Sequence, residues 1–174
     1  MLKLKGEHIY LRAIEPDDLK FLYELENDTA IWEVSGTATP YSKHVLQLYL
    51  DNAHRDIYDV KQLRLCICNL ERKVVGLIDL FDFDPKNNRA GLGIVIKDSN
   101  SRNQGIGNES IRILVDYGFS ILNLHQIFAN VAEDNEASIH LFEKLGFHKV
   151  GVKKDWILVN GGYKNEILFQ KIKE

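Results

Sequence analysis

Polar and apolar residues alternate over Glu7 to Ala13. Ile9, Leu11 and Ala13 fall on one face and His8, Tyr10 and Arg12 on the other, which predicts a first strand. Ile14-Glu15-Pro16-Asp17-Asp18 then opens a helix, because proline suits a first helical turn and the acids complement the helix dipole. That helix runs to about Asn27, with Leu19, Leu22, Tyr23 and Leu25 or Glu26 as a partial stripe. From Asp28 to Tyr41 periodicity is lost and a loop is predicted, carrying Trp32, Glu33, Gly36, Thr37, Thr39 and Pro40. An aromatic and a carboxylate on a loop suit substrate contact, and Trp32 equally suits plugging the core's edge. Ser42 can cap a second helix, in which Leu46, Tyr49, Leu50 and Ala53 keep helical spacing.

Three strands follow, Gln62 to Asn69, Val74 to Phe81 and Arg89 to Ile96, joined by short turn-rich connections that predict an antiparallel meander. Ile111, Leu114, Val115, Gly118, Phe119 and Leu122 then form the best amphipathic stripe in the chain. Gln126 to Ala132 reads as a strand, and Asp134-Asn135-Glu136 caps a helix ending at Gly146. Phe147 to Val152, Trp156 to Val159 and Tyr163 to Gln170 close the sheet, with Asn160-Gly161-Gly162 as a turn. This order predicts an α+β fold, a mixed and mostly antiparallel sheet of about seven strands flanked by about four helices.

Composition narrows the function. At 174 residues one domain is expected, spanning residues 1–174. A net charge of −3 and no basic stripe argue against nucleic acid. The first residues are too short and polar for a signal peptide, and no run reaches the roughly 18 apolar residues of a membrane span, so a cytoplasmic protein without membrane partners is expected. Cys66 and Cys68, one residue apart, read as core or sheet-face thiols, and the six histidines show no zinc-ligand spacing, so no metal is expected.

The chemistry points to Arg102-Asn103-Gln104-Gly105-Ile106-Gly107, between a strand and a helix. Glycines there let backbone N–H groups turn toward one point at a helix N-terminus, a geometry that binds phosphate, though a tight turn alone would use the same residues. The dinucleotide fingerprint fails at Ser110, and no Gly-Lys-Ser/Thr supports a P-loop.

Arg102-x-x-Gly105-x-Gly107, followed by Asp134-Asn135-Glu136-Ala137-Ser138 and Leu141-Phe142-Glu143-Lys144-Leu145-Gly146-Phe147, resembles the GNAT N-acetyltransferase superfamily over nearly the whole chain. Asp116-Tyr117-Gly118-Phe119, Leu122-Asn123-Leu124-His125 and Asn160-Gly161-x-Tyr163 resemble the branch holding ribosomal-protein N-terminal and spermidine/diamine acetyltransferases. The resemblance implies acetyl-CoA as co-substrate. Its pyrophosphate would lie on N–H groups of Asn103, Gln104, Gly105, Ile106, Gly107 and Asn108, with Arg102 assisting. Its arm would run along a strand splayed open near Ile94, Val95 and Ile96, with Asn135 on the other side. The acceptor would be a small-molecule amine or a protein N-terminus.

Members of the family often carry a glutamate base where this chain has Gly91, and a tyrosine acid where it has Phe142. The remaining carboxylates that can serve are Asp79, which shares a face with Val75 and Leu77, then Asp82 and Asp155; Asp79 also reads as a solvated strand acid. Ser138, one turn before Phe142, is a candidate donor to the leaving sulfur or a back-bonded helix residue. Glu33, Asp79, Asp82 and Asp155 are candidate contacts for a cationic amine. Two alternatives remain open at this point, an acetyl-CoA sensor without transfer and a plain interaction domain. Self-association into a homo-oligomer is compatible with either.

Overall fold

The computed structural model describes residues 4–97 and 105–174. Seven strands form one sheet in the order β1-β2-β3-β4-β5-β7-β6. They are β1 (Ile9–Ala13), β2 (Leu63–Asn69), β3 (Val74–Asp84), β4 (Arg89–Ile96), β5 (Gln126–Ala132), β6 (His148–Val159) and β7 (Gly162–Ile172). All neighbouring pairs are antiparallel except β4 and β5. The helices among the described residues are α1 (Leu19–Glu26), α2 (Thr29–Ser35), α3 (Lys43–Asp51), α4 (Ile57–Val60), α5 (Ile106–Ser120) and α6 (Glu136–Lys144).

Period-two alternation sorts the core onto the sheet's two faces. In β2, Leu65 and Ile67 join the larger core that α5 and α6 cover, while Cys66 and Cys68 join Leu22, Leu25, Ile31, Leu46 and Leu50 beneath α1 to α3. Of the stripe that the spacing predicts, Ile111, Leu114, Val115 and Gly118 are buried on α5 and Phe119 and Leu122 are partly buried, while Ile106 and Ile113 are buried beside them. Both cysteines are free and fully buried.

Several local expectations change. The stretch read as a loop contains α2, which Asp28 caps by accepting from Ala30 N–H and which Gly36 ends at φ 68°. Seven residues are too few for a hydrophobic stripe to declare itself, and only Ile31 is buried. The first helix begins as a 3-10 turn over Pro16–Asp18, and α3 stops at Asp51, leaving Ala53 exposed. The two segments expected around Lys153-Lys154-Asp155 are one strand, β6, whose register shifts between Lys153 and Ile157 with Asp155 at φ 50°. A bulge absorbs the break in alternation.

Candidate active site

The only parallel pairing among the described residues, β4 with β5, comprises Arg89↔Gln126, Ala90↔Ile127 and Gly91↔Phe128, and stops there. β4 nevertheless continues to Ile96 and β5 to Ala132, so the sheet opens into a V beyond Gly91. A cleft of about 1160 Å³ occupies this opening, lined by Ile94 and Val95 on β4 and by Asn135 and Ser138 at the start of α6. Residues of α1, α2 and α3 close one side, and Trp156, Ile157, Leu158 and Glu166 of the β6–β7 hairpin close another. Ile96 lies at the end of β4, outside that lining.

At the apex, Gly91 has no room for a side chain. A Cβ there would lie 2.4 Å from Cε2 and Cζ of Phe81 and 2.9 Å from Phe128. The two rings meet edge to face at 5.7 Å, so an aromatic pair fills the space that a glutamate on this strand would need. Phe142 likewise belongs to the core, 5.0 Å from the Phe147 ring centroid and 6.2 Å from that of Phe169, while also lining the cleft.

Gly105 turns into α5 at φ 76°, a left-handed conformation that glycine adopts without strain, and the first described helical bond runs from Glu109 N–H to the Gly105 carbonyl. A Cβ on Gly107 would lie 3.3 Å from Leu141 Cδ2 and 3.6 Å from Ile96 Cδ1, so this glycine lets the N-terminus of α5 sit against both β4 and α6. Ile106 and Asn108 share that first turn. Arg102, Asn103 and Gln104 lie outside the described residues. Asn135 caps α6, its side-chain oxygen accepting from Ser138 N–H at 3.2 Å.

The cleft is acidic. Glu26, Glu33, Asp79, Asp134 and Glu166 line it, and Arg64 is the one cation among the described lining residues. Asp79 accepts two bonds from Arg64, each at 2.8 Å, and Glu26 a third at 3.2 Å. The guanidinium lies 5.9 Å from the Tyr49 ring centroid. Burial alone would make Arg64 easier to deprotonate, but its bonds to Asp79 outweigh this and hold its pKa above the ordinary value. Burial also raises the Tyr49 hydroxyl. Across the cleft, Lys164 bonds Asp134 at 2.7 Å and also Glu33; the two carboxylates, Asp134 foremost, raise the lysine's pKa, and Lys164 lowers that of Asp134.

Of the acids singled out in the sequence, Asp79 and Glu33 therefore meet in one cleft. Asp82, exposed in the β3 bulge, and Asp155, exposed in the β6 bulge, stand outside its lining. Sequence reasoning missed Arg64, Tyr49, Lys164 and Glu166. Arg64 could have been found, since Arg64 and Asp79 are opposite charges directly paired in the β2–β3 hairpin. Among the described residues no group of three or more His, Cys, Asp or Glu is arranged to hold a metal ion, and no helix is long and apolar enough to cross a membrane.

A splayed parallel pair beside a glycine-opened helix is the geometry that the resemblance implied, and comparison with known proteins decides the matter. The family model of the acetyltransferase (GNAT) domain matches residues 8–148. The chain belongs to that family. It is similar to the spermidine N(1)-acetyltransferase of Vibrio cholerae serotype O1, 30% identical over 160 residues covering 92% of this chain and 90% of that protein. The spermidine N(1)-acetyltransferase of Escherichia coli K12 is 29% identical over 160 residues, covering 91% and 83%. A crystal structure of a Vibrio cholerae spermidine N-acetyltransferase in complex with CoA and spermine superposes with a TM-score of 0.85 at 27% identity, covering 94% of this chain and 95% of that one. A dodecameric form of that enzyme superposes at 0.79 and 29% identity, covering 94% and 93%. This GNAT chain is thus an N-acetyltransferase that takes acetyl from acetyl-CoA to an amine, and of the readings left open by the sequence the enzymatic one stands.

Proposed function

We propose that the acceptor is a linear polyamine of the spermidine class, acetylated on a primary amine. The observation that carries this is the carboxylate lining: five acids line the cleft among the described residues, and the cations that already meet them, Arg64, Lys153 and Lys164, show that these acids accept alkylammonium and guanidinium partners. A chain of alkylammonium groups is the complement of such a wall, and the names of the relatives agree with it. A protein N-terminus, with its single positive charge, has less use for so many acids.

Acetyl-CoA supplies an activated acetyl thioester. On this reading the N–H groups of Gly105, Ile106, Gly107 and Asn108 hold its diphosphate, because the first turn of a helix carries donors without intrahelical partners and the positive end of the dipole. The β4 edge at Ile94 and Val95 orients the amide-rich arm, with Asn135 opposite. Glu26 and Asp79 hold the acceptor's ammonium groups near the apex of the V. Asp79 is the candidate to take the amine proton through water, and two bonds from Arg64 hold that carboxylate in place. Ser138, on the cleft wall, is the candidate donor to the departing sulfur.

A polyamine nitrogen with a pKa of about 10 must lose roughly 3 units to be neutral at pH 7, a cost of about 4 kcal/mol. Activity should therefore climb with pH through the neutral range. The test is release of CoA thiol with spermidine, spermine, N-terminal peptides and aminoglycosides as acceptors. The polyamines are expected to give the largest kcat/KM; a peptide outperforming both would overturn the assignment. Self-association accompanies this reading, supported by the dodecameric relative and by the edge strand β6, where Val150, Val152 and Leu158 are exposed.

A further inference from the structure

Glu33, on α2, and Asp134, in the turn between β5 and α6, both line the cleft. The ammonium of Lys164, on β7, bonds both. The lysine side chain is 19% exposed while the carboxylates are 40% and 61% exposed, so a cation sits between two wetted acids and ties the α2 wall to the sheet. A second lysine is held by other groups that line the cleft. Lys153 Nζ lies 2.5 Å from Glu166, 3.1 Å from the Asn130 side-chain oxygen and 4.6 Å from the Trp156 ring centroid. Glu166, Asn130 and Trp156 all line the cleft. Carboxylate, amide oxygen and aromatic face are the groups that recognise a protonated amine.

We propose that Lys164 selects the acceptor: its ammonium occupies the Glu33–Asp134 pair until a remote ammonium of the incoming amine replaces it. This rests on the polyamine reading above. A lysine Nζ and the terminal nitrogen of a polyamine have the same charge, the same three donors and nearly the same size, so they compete for one place. A monoamine brings no second ammonium and leaves the tether closed. An acceptor with two or more charges opens it, and part of its binding is spent in displacing Lys164. The lysine therefore sets how strongly the enzyme prefers polycations and how tightly it holds them.

The test compares wild type with Lys164→Met, Lys164→Arg and Glu33→Gln/Lys164→Met, using spermidine and butylamine as acceptors. KM and kcat are read by thiol release, and spermidine affinity by calorimetry with CoA present. Lys164→Met should lower the spermidine KM and dissociation constant roughly 1.5- to fivefold, the range expected when an exposed ion pair no longer competes. The butylamine KM should not move. Adding Glu33→Gln should cancel most of the gain, and Lys164→Arg should stay near wild type. Thermal midpoints within a few degrees of wild type establish that the variants are folded. An unchanged or raised spermidine constant in Lys164→Met, or a butylamine shift of the same size, overturns the proposal while leaving the polyamine reading intact. Wild-type protein that neither binds nor acetylates spermidine removes the polyamine reading itself, and this proposal with it.

Discussion

Gly91 offers the sharpest test of why this enzyme does without a glutamate on β4. Replacing it by alanine adds one methyl group at a point 2.4 Å from two Phe81 ring carbons and 2.9 Å from Phe128. Nothing survives at those distances unmoved. The Phe81 ring must swing, disturbing its edge-to-face contact with Phe128, and the cleft that it lines offers it space. Overpacking of this kind costs about 1 to 3 kcal/mol. For a chain of this size each kcal/mol lowers the melting midpoint by about 2 to 4 °C, so Gly91→Ala should melt roughly 2 to 12 °C below wild type. Calorimetry of Gly91→Ala, Phe81→Ala and the double variant closes the cycle. In the Phe81→Ala background the two closest contacts of the added methyl are gone and only the Phe128 ring at 2.9 Å remains, so the penalty should shrink by about 1 to 2 kcal/mol, within the usual range of coupling between touching residues. Spermidine KM should rise in Gly91→Ala, because the displaced ring intrudes on the acceptor's space. Equal penalties in the two backgrounds would refute the argument, since Phe81 would then not be what excludes a side chain at this position.

Three further outcomes follow from the same geometry. Gly105→Glu and Gly107→Glu should each abolish calorimetric binding of acetyl-CoA, the first by straining a φ of 76° and both by adding negative charge at the start of α5; binding within threefold of wild type would contradict the assignment of that turn. Ser138→Ala should lower kcat about tenfold with acetyl-CoA affinity unchanged, and Phe142→Tyr in that background should restore it by offering a hydroxyl from the same wall; an unaltered kcat in Ser138→Ala removes the serine from the reaction. Asp18, buried and bonded to both Arg12 nitrogens at 2.7 and 2.8 Å, is the third case. Burial alone would raise its pKa, but Arg12 and the Glu15 N–H outweigh that and hold it below the ordinary value. The pair thus stabilises the fold fully above about pH 4, the unfolded value, and fades as pH falls through the lower folded one. Asp18→Asn should cost about 2 to 3 kcal/mol at pH 7, less than a fully buried pair, and the gap to wild type should narrow toward pH 3 in denaturant titrations; a gap independent of pH would disprove the linkage.

Strong periodicity made most of the scaffold legible from the chain alone. The β2–β3–β4 meander, the stripe of α5 and the caps at Ser42 and Asn135 all stand as the spacing predicts. The opening of the sheet beyond Gly91 followed from the family resemblance, and the end of the β4–β5 pairing bears it out. What escaped was short or non-local. Helix α2 is too brief to show a repeat, and the β6 bulge interrupts alternation in a way that mimics a turn. The ion pairs of the cleft join residues as far apart as Glu33 and Lys164, or Glu26 and Arg64, and no local pattern encodes such meetings. Asp155 had the right charge and the right neighbourhood, yet only its neighbour Trp156 lines the cleft.

The two cysteines bear on how the enzyme meets its own product. Each turnover liberates a free thiol, and a reactive protein sulfhydryl would trap oxidised coenzyme as a mixed disulfide. Cys66 and Cys68 are fully covered, and burial pushes the Cys66 thiol up to about 12 and raises that of Cys68 as well. Neither offers a thiolate at neutral pH, and thiolate is the form that attacks a disulfide. The folded protein should therefore give no colour with colorimetric sulfhydryl reagents. Colour in an assay of the native enzyme reports released coenzyme alone, and a burst of two equivalents per chain marks unfolding.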